Sequence, residues 1–336
     1  MSATSARLPF AWSDRGLGLM AAVFTLLVWT SFILVSRASV DPARGSSLHS
    51  FDIAYCRMLG AGLILVPWGW WMVRRDSQRG LGVASCMGLA PLGIGVTLPM
   101  GLLGAVLYAQ LAYGGFMYAP ALHASVLLPG SLPFWTALLA WWWLREPMSI
   151  ARIVGLVLIV LGDLLVGGAS LLQAFEGGEL WKGDLLFLCA ALCWAAYSVL
   201  ARIHGVEPVR ATIAITVFAC LTYVPVYTVL GLLGWIPAGV FDAPWGEVVR
   251  QMAFHGWGTV VVAGISFTAM IRYYGPVRTT MITALVPGLS ALGAVFLLGE
   301  PLRWNLALGL MLVTAGILFG VRKARPPQTP ALGTDP

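Results

Sequence analysis

The amino-acid sequence predicts an all-α integral membrane protein with ten transmembrane helices, arranged as two inverted five-helix repeats. Of the 336 residues, 59% are hydrophobic and only 10% are charged, whereas about 25% of the residues of an average soluble domain are charged. Apolar runs of about 20 residues, the length that crosses a bilayer, follow one another with short connections. Two of these runs also end alike, at LREP (144–147) and at LGEP (298–301).

Charged residues, glycine and proline separate the apolar runs and mark the helix ends. The third helix is the least well defined, because its apolar stretch is longer than one span and contains Pro91 and Pro99. Its start could therefore lie ten residues earlier. The sequence places helices at about 18–37, 51–73, 95–118, 121–144, 150–169, 183–203, 210–234, 253–274, 277–298 and 304–321.

Positive charge predicts the orientation, since lysine and arginine collect in cytoplasmic loops. With the N-terminus inside, fourteen basic residues fall on the cytoplasmic side and five on the other, while Arg57 lies inside the second helix. We expect a multi-pass protein of the plasma (inner) membrane with both termini cytoplasmic. The N-terminal tail (1–17) lacks the apolar core of a secretory signal, and the polar, proline-rich C-terminal tail (322–336) is typical of disorder. The basic residues of the cytoplasmic loops account for the net charge of +6. No nucleic acid partner is therefore expected.

The two proline corners belong to an internal repeat. A shift of 154 positions superposes LREP on LGEP and gives twelve identities in the 34 positions from 133 to 166. Matched proline, glutamate and glycine residues are not explained by hydrophobicity. A shift of 165 superposes the sixth span on the first, pairing Trp194 with Trp29 and Arg202 with Arg37.

The repeat divides the chain into a first half (18–169), a connecting loop (170–182) and a second half (183–321). Because five is an odd number of spans, the second copy enters the membrane from the opposite side. Glu146 is then expected at the cytoplasmic face and Glu300 at the outer face. We expect each carboxylate to favour the dipole of the helix that follows its corner.

The sequence argues against an enzyme. It contains no HExxH, GxSxG or Walker motif and no aspartate cluster for diphosphate chemistry. A channel is also disfavoured, because no repeated charged ring or carbonyl filter is present. The cysteines fall in apolar segments without metal-ligand partners, so neither a metal, a cofactor nor a disulfide framework is expected. They are Cys56, Cys86, Cys189, Cys193 and Cys220.

The paired halves resemble the EamA-type transporters of the drug/metabolite transporter superfamily. Each half ends in a proline-bearing helix, an LxEP corner and a glycine-spaced helix, GLVLIVLG (155–162) or GLMLVTAG (309–316). Arg57 in AYCRMLGAG is similar to the family's arginine in the second helix. The resemblance covers about residues 18–321 and departs at Arg145, where many members have glycine.

The resemblance implies a secondary transporter, often an exporter, of small metabolites such as amino acids, amines or related amphipathic solutes. Its expected partners are a small-molecule substrate and the lipid bilayer. A flippase for lipid-linked groups is the alternative, and an intramembrane enzyme is a weaker one. Inverted repeats would allow a central cavity to open alternately to each side.

Substrate-binding residues are expected where polar or aromatic side chains face inward. Proline removes a helical hydrogen bond, so at Pro129, Pro133 and Pro287 we expect either a break in the fourth and ninth helices or a plain packing kink, since membrane helices tolerate proline. Aromatic rings would suit an aromatic, amphipathic or cationic solute, whereas helix packing or an interfacial belt is the alternative role for each residue. The substrate-binding candidates are Trp29, Thr30, Tyr108, Ser125, Trp194, Tyr197, Ser198, Ser266, Tyr273 and Thr283.

Few ionisable residues lie deep within a span. Asp163 is a candidate for proton coupling, or it hydrogen-bonds a neighbouring helix. Arg57 either extends outward to the interface or holds an anionic group. His123, at the start of the fourth helix, is expected to be a packed or interfacial histidine and less often a ligand. The glycines of GILFG (316–320) have the spacing of close helix packing, either within the monomer or in a homodimer.

Overall fold

The computed structural model describes residues 14–41, 48–82 and 84–320. The described residues form helices and contain no β-strand, apart from an isolated bridge between Cys86 and Ala90. Residues 1–13 and 321–336, which make up most of the two predicted tails, lie outside the described part of the chain.

The helices are numbered here α1 to α10 in chain order. Within the described residues, eight are long and apolar enough to cross a membrane, and α9 and α10 are shorter apolar helices. The chain is therefore a multi-pass membrane protein. The bounds are α1 Asp14–Val40, α2 Ser50–Gln78, α3 Ile94–Tyr118, α4 Ala121–Leu144, α5 Ile150–Ala174, α6 Leu180–Ile203, α7 Pro208–Leu232, α8 245–283, α9 Val286–Leu298 and α10 Trp304–Gly320.

Most bounds agree with the sequence prediction to within about five residues. The third helix begins at Ile94, after the extended residue Gly93, so that Pro91 lies outside it. Several helices run past the predicted ends. For example, α1 begins at Asp14 and α2 continues to Gln78. A hydropathy pattern gives the apolar length, whereas a helix can continue into the polar region around the membrane.

The predicted interruption of the fourth helix is not found. Helix α4 remains helical through Pro129 and Pro133. Prolines are tolerated in membrane helices, where neighbouring helices and local adjustments can satisfy the freed backbone groups.

The boundary between the eighth and ninth helices also differs from the prediction. Residues 275–276 are helical, and the chain turns at 284–285 instead. Pro287 lies in the first turn of α9, where the missing N–H removes no helical hydrogen bond. The predicted break near Pro287 therefore lies just before that residue.

The two halves pack against each other in a reciprocal pattern. Helix α1 packs on α8 and α6 packs on α3, while α2 packs on α7, α4 on α9 and α5 on α10. Helix α2 also contacts α8, and α7 contacts α3. Exchanging each helix for its counterpart in the other half leaves this set of contacts unchanged.

A second reciprocal feature is the pair of π-helical stretches within long helices. They are Leu102–Leu107 in α3 and Met252–Val262 in α8, the third helices of the two halves. Such stretches are rare and often occur at functional sites.

Helices α5 and α10 meet through their glycines. A Cβ at Gly155 would lie 2.5 Å from Gly316 O, and a Cβ at Gly162 would lie 2.7 Å from Gly309 O. Because the earlier glycine of one helix faces the later glycine of the other, the two helices run antiparallel. Gly316, a candidate for a homodimer contact, is thus packed within the chain.

The two LxEP corners have the same backbone form. Arg145 has a φ of 53° and Gly299 a φ of 72°, both left-handed. The next N–H in each corner bonds back to the helix, from Glu146 to Ala140 O at 3.4 Å and from Glu300 to Ala294 O at 3.1 Å. A left-handed residue at a helix C-terminus is ordinarily glycine, so Arg145 takes a conformation that costs a side-chain-bearing residue about 1 kcal/mol.

Candidate functional site

A cavity of about 850 Å³ lies between the two halves of the protein. Its wall includes residues from both halves, and it reaches from Arg57 in α2 to the corner between α6 and α7. Arg202 and Gly205 at that corner are exposed, so the cavity opens at this end of the bundle, which we call the mouth.

At the other end an aromatic layer closes the cavity. The Phe32 ring lies edge-on to Tyr113 and Phe116, with ring centroids 5.9 Å and 6.4 Å away. It also lies edge-on to His255, at 6.2 Å. Tyr113, Phe116 and His255 are almost completely buried. Beyond Arg57, buried aromatic side chains therefore fill this end of the described bundle.

Beyond the aromatic layer, Glu300 joins three helices. Its two carboxylate oxygens accept hydrogen bonds from the backbone N–H groups of Ala121 and Leu122, each at 2.8 Å. Arg37 Nε lies 4.0 Å from Glu300 Oε1, and Arg37 Nη1 donates to Phe116 O at 2.6 Å. The expectation that Glu300 serves the next helix is therefore corrected. It caps α4, whose first N–H groups lack helical partners and attract a carboxylate.

The mouth carries a corresponding ion pair. Glu146 accepts a hydrogen bond from Arg202 and lies 3.9 Å from Arg152 Nη1. In the repeat, Arg202 matches Arg37 and Glu146 matches Glu300. Each pair joins the first helix of one half to the corner of the other half. Glu300 contacts the start of α4 and Glu146 follows its end, so about 36 Å of helix separates the two pairs.

Arg57 forms the floor of the cavity. Its Nη1 donates to Thr259 Oγ1 at 2.7 Å, and Thr259 in turn donates to His255 O at 2.6 Å. The guanidinium carbon lies 5.8 Å from the centre of the Phe32 ring and 6.0 Å from that of Tyr108. The side chain thus points toward α8 and does not extend to the membrane interface. Within the described part of the chain, Arg57 forms no ion pair.

Two aromatic pairs flank the cavity. Trp29 of α1 stacks on Phe267 of α8 with ring centroids 5.1 Å apart. Trp194 of α6 lies 4.8 Å from Tyr108 of α3 and 5.2 Å from Tyr197. Each pair joins the first helix of one half to the third helix of the other. The matched tryptophans Trp29 and Trp194 therefore occupy reciprocal places on the wall.

Half of the ten candidate substrate residues lie on the cavity wall, namely Trp29, Trp194, Tyr197, Ser198 and Thr283, together with the prolines Pro129, Pro133 and Pro287. The other five lie off the wall for identifiable reasons. Tyr108 is behind Trp194, and Ser125 is fully buried with its Oγ donating to Ala121 O at 2.8 Å. Tyr273 packs against Gly18 of α1, since a Cβ built on Gly18 would lie 3.0 Å from the Cβ of Tyr273. Thr30 and Ser266 are partly buried and do not line the cavity.

Two further ionisable candidates lie away from the cavity. Asp163 is in α5 and not on the wall, and its Oδ1 is buried without a hydrogen-bond partner among the described residues. His123 is buried, and its Nδ1 lies 2.8 Å from Asp184 Oδ1. His123 is thus a packed residue near the closed end, as expected.

Sequence reasoning did not identify several residues of the floor and mouth. Thr259 and His255 were detectable only as polar residues inside an apolar span. Phe267 was hidden among many apolar neighbours. The match of Arg202 with Arg37 was visible, but their glutamate partners, 56 residues away for Arg202, were not.

Comparison with known proteins supports this architecture. The sequence model of the EamA-like transporter family matches residues 16–168 and 181–322. The chain is 25% identical over 231 residues to YyaM of Bacillus subtilis, described as an uncharacterized transporter, covering 68% of this chain and 73% of that protein. It is 26% identical over 243 residues to a probable amino-acid metabolite efflux pump of Salmonella typhimurium, covering 70% and 78%.

A protein of known crystal structure shares the fold. It superposes with a TM-score of 0.51 at 18% identity, covering 90% of this chain and 94% of that chain. The family match spans most of both halves, including the two LxEP corners and the helices that form the cavity. The chain therefore belongs to the EamA-like transporter family.

Proposed function

We propose that this protein is a secondary transporter that exports small amphipathic metabolites by alternating access, through ten transmembrane helices in two inverted repeats. The observation that carries the proposal is the cavity between the halves, open at the mouth and closed by an aromatic layer at the other end. A solute can enter such a cavity from one side only. Transport then requires the other end to open.

Several contacts support the inverted arrangement. The helix contacts are reciprocal, α5 and α10 are antiparallel, and the two LxEP corners have the same backbone form. The two arginine–glutamate pairs lie at opposite ends of the bundle. Two copies of opposite orientation can exchange conformations, which opens the cavity alternately to each side.

Charge supports a cytoplasmic position for the mouth. Arg152 and Arg202 lie there, and Arg74, Arg75 and Arg210 belong to helix ends on the same side of the bundle. Basic residues favour the cytoplasmic side. In this conformation the cavity would therefore receive a solute from the cytoplasm, as an exporter requires. Amino acids, amines and related solutes are the first candidates, and the name of the Salmonella relative agrees with that range.

Flux into proteoliposomes tests the function. Purified protein should catalyse counterflow of at least one solute from a panel of amino acids, amines and organic acids, with and without a pH gradient. Protein-free liposomes and a Gly104→Trp variant serve as controls. A Cβ at Gly104 already lies 2.6 Å from the Tyr197 ring, so this variant should obstruct the wall. Absence of counterflow together with movement of a lipid between leaflets would replace this proposal with a flippase.

Accessibility labelling tests the inversion separately. Single cysteines at positions 146 and 300, in a chain whose five native cysteines are replaced, should react with an impermeant maleimide from opposite sides of the membrane. Position 146 should be protected in intact cells and labelled in inverted vesicles. Labelling of both positions from the same side would refute the inverted arrangement.

A further inference from the structure

We infer that Arg57 binds the anionic group of the transported solute, and that the solute is a monoanionic organic acid with an aromatic or branched apolar body. This inference rests on the proposed function, because it assigns the substrate class of the same cavity. It narrows the range of solutes proposed above, because it favours acids over cationic amines.

The charge of the cavity wall is the first argument. Among the described residues that line it, three are arginines and none is acidic. Arg152 and Arg202 lie at the mouth and share the carboxylate of Glu146. Arg57 alone lies deep in the cavity, and the described chain gives it no carboxylate. The floor of the site is therefore positively charged.

The surroundings of Arg57 make this charge available to a ligand. A guanidinium carries five N–H donors, and among the described residues Arg57 donates to Thr259 Oγ1 and interacts with the Tyr113 hydroxyl, which leaves donors for a ligand. The rings of Phe32 and Tyr108 lie beside the group, and aromatic neighbours keep the local dielectric low. A charge in such a place is costly unless a counter-charge joins it. A carboxylate can accept two parallel N–H bonds from one guanidinium.

The aromatic residues near Arg57 indicate the rest of the solute. The Tyr108 ring lies 6.0 Å from the Arg57 guanidinium carbon and 4.8 Å from the Trp194 indole, so Arg57 and Trp194 share this neighbour. An acid held by Arg57 would place its body along Trp194 and Tyr197, which line the cavity. A free ammonium group would find no acidic side chain on the described wall. Because only one arginine lies deep among the described lining residues, a solute with one negative charge fits the site better than a solute with two.

Calorimetric titration of the purified full-length protein tests this inference with three probes of similar shape. These are phenylacetate, 2-phenylethanol and phenethylamine, which are anionic, neutral and cationic. Wild-type protein should bind phenylacetate at least tenfold more tightly than the other two. Arg57→Gln should weaken phenylacetate binding about tenfold or more, as expected when a charge-assisted hydrogen bond is lost. The same variant should change 2-phenylethanol binding less than twofold, which also reports that the cavity is intact.

A matched control is Arg74→Gln. Arg74 is on the same helix, stacks over Trp70 at 4.1 Å and does not line the cavity, so phenylacetate binding should not change.

If Arg57→Gln does not fold, Arg57→Lys keeps the charge and should retain the preference for the acid at several-fold lower affinity. Equal binding of the three probes by the wild type, or an unchanged acid preference in Arg57→Gln, would overturn the inference. A wild type that transports amines but does not bind phenylacetate would refute this inference and leave the transporter proposal intact. Binding of the acid without flux of any solute would support the anion site and contradict the transporter proposal.

Discussion

The backbone contact between α5 and α10 predicts that Gly155→Ala destabilises the protein. A Cβ at Gly155 would lie 2.5 Å from Gly316 O and 2.7 Å from Gly320 N, where ordinary contacts begin at 3.4 Å. Both contacting atoms are backbone, so the helices must separate by up to about 0.9 Å. Forced overpacking of this kind costs about 1–3 kcal/mol. Alanine recovers up to about 1 kcal/mol of helix propensity relative to glycine.

Gly168→Ala is the matched control. Gly168 is in the same helix, but nothing lies within 4 Å of the Cβ it would gain. It should show only the gain in helix propensity, so the two variants should differ by about 1–3 kcal/mol. Thermal unfolding in detergent can be followed with a thiol-reactive dye, because Cys56 and Cys86 are buried in the folded protein. The apparent melting temperature should fall for Gly155→Ala and hold or rise for Gly168→Ala. Equal temperatures would show that the two helices do not meet at Gly155.

Other residues give further tests. Trp29→Ala and Trp194→Ala should each lower solute flux about three- to tenfold, the effect of losing one aromatic contact of about 1 kcal/mol, with normal membrane insertion; unchanged flux in both would place the solute elsewhere. Arg145→Gly should raise stability by about 1 kcal/mol, because glycine adopts the left-handed conformation without strain; a lower melting temperature would contradict this account of the corner. If Asp163 carries a proton during transport, Asp163→Asn should abolish any dependence of flux on a pH gradient while leaving counterflow intact, and persistence of that dependence would exclude Asp163 from coupling.

Helix positions were predictable because each depends on local sequence. An apolar run of about 20 residues crosses a bilayer, and a corner such as LGEP carries its own turn residue in Gly299. The prolines misled the prediction for a local reason too. A proline inside a membrane helix and a proline that starts a helix look alike in sequence, yet Pro133 is the first kind and Pro287 the second.

Side-chain partners were less predictable because they join distant parts of the chain. Glu300 caps α4 although it is 179 residues away from Ala121 in the sequence. No local sequence pattern predicts that contact. The direction of Arg57 depends on how α2 is rotated against α8, which hydropathy does not determine. An arginine at that depth can extend outward or point inward, and only the position of Thr259 distinguishes the two.

The two arginine–glutamate pairs are related by the repeat, but they differ in exposure. At the closed end, Arg37 and Glu300 expose 27% and 12% of their side chains, and Glu300 also holds two backbone N–H groups. At the mouth, Arg202 and Glu146 expose 51% and 33%. An exposed ion pair contributes little, since water competes for both charges, whereas separating a buried pair leaves charges uncompensated.

If the protein works by the proposed alternating access, the two backbone hydrogen bonds of Glu300 oppose opening of the closed end. Opening that end would require Glu300 to leave Arg37 or the N-terminus of α4. The free energy lost with those contacts would have to be recovered from other interactions. A ligand shifts a conformational equilibrium only by its difference in affinity for the two states. An anion bound to Arg57 would neutralise a positive charge that lies 5.8 Å from the Phe32 ring of the aromatic layer. Under the proposed mechanism, binding at Arg57 would change the energy of the layer that has to open, and this would connect recognition of the solute with its release.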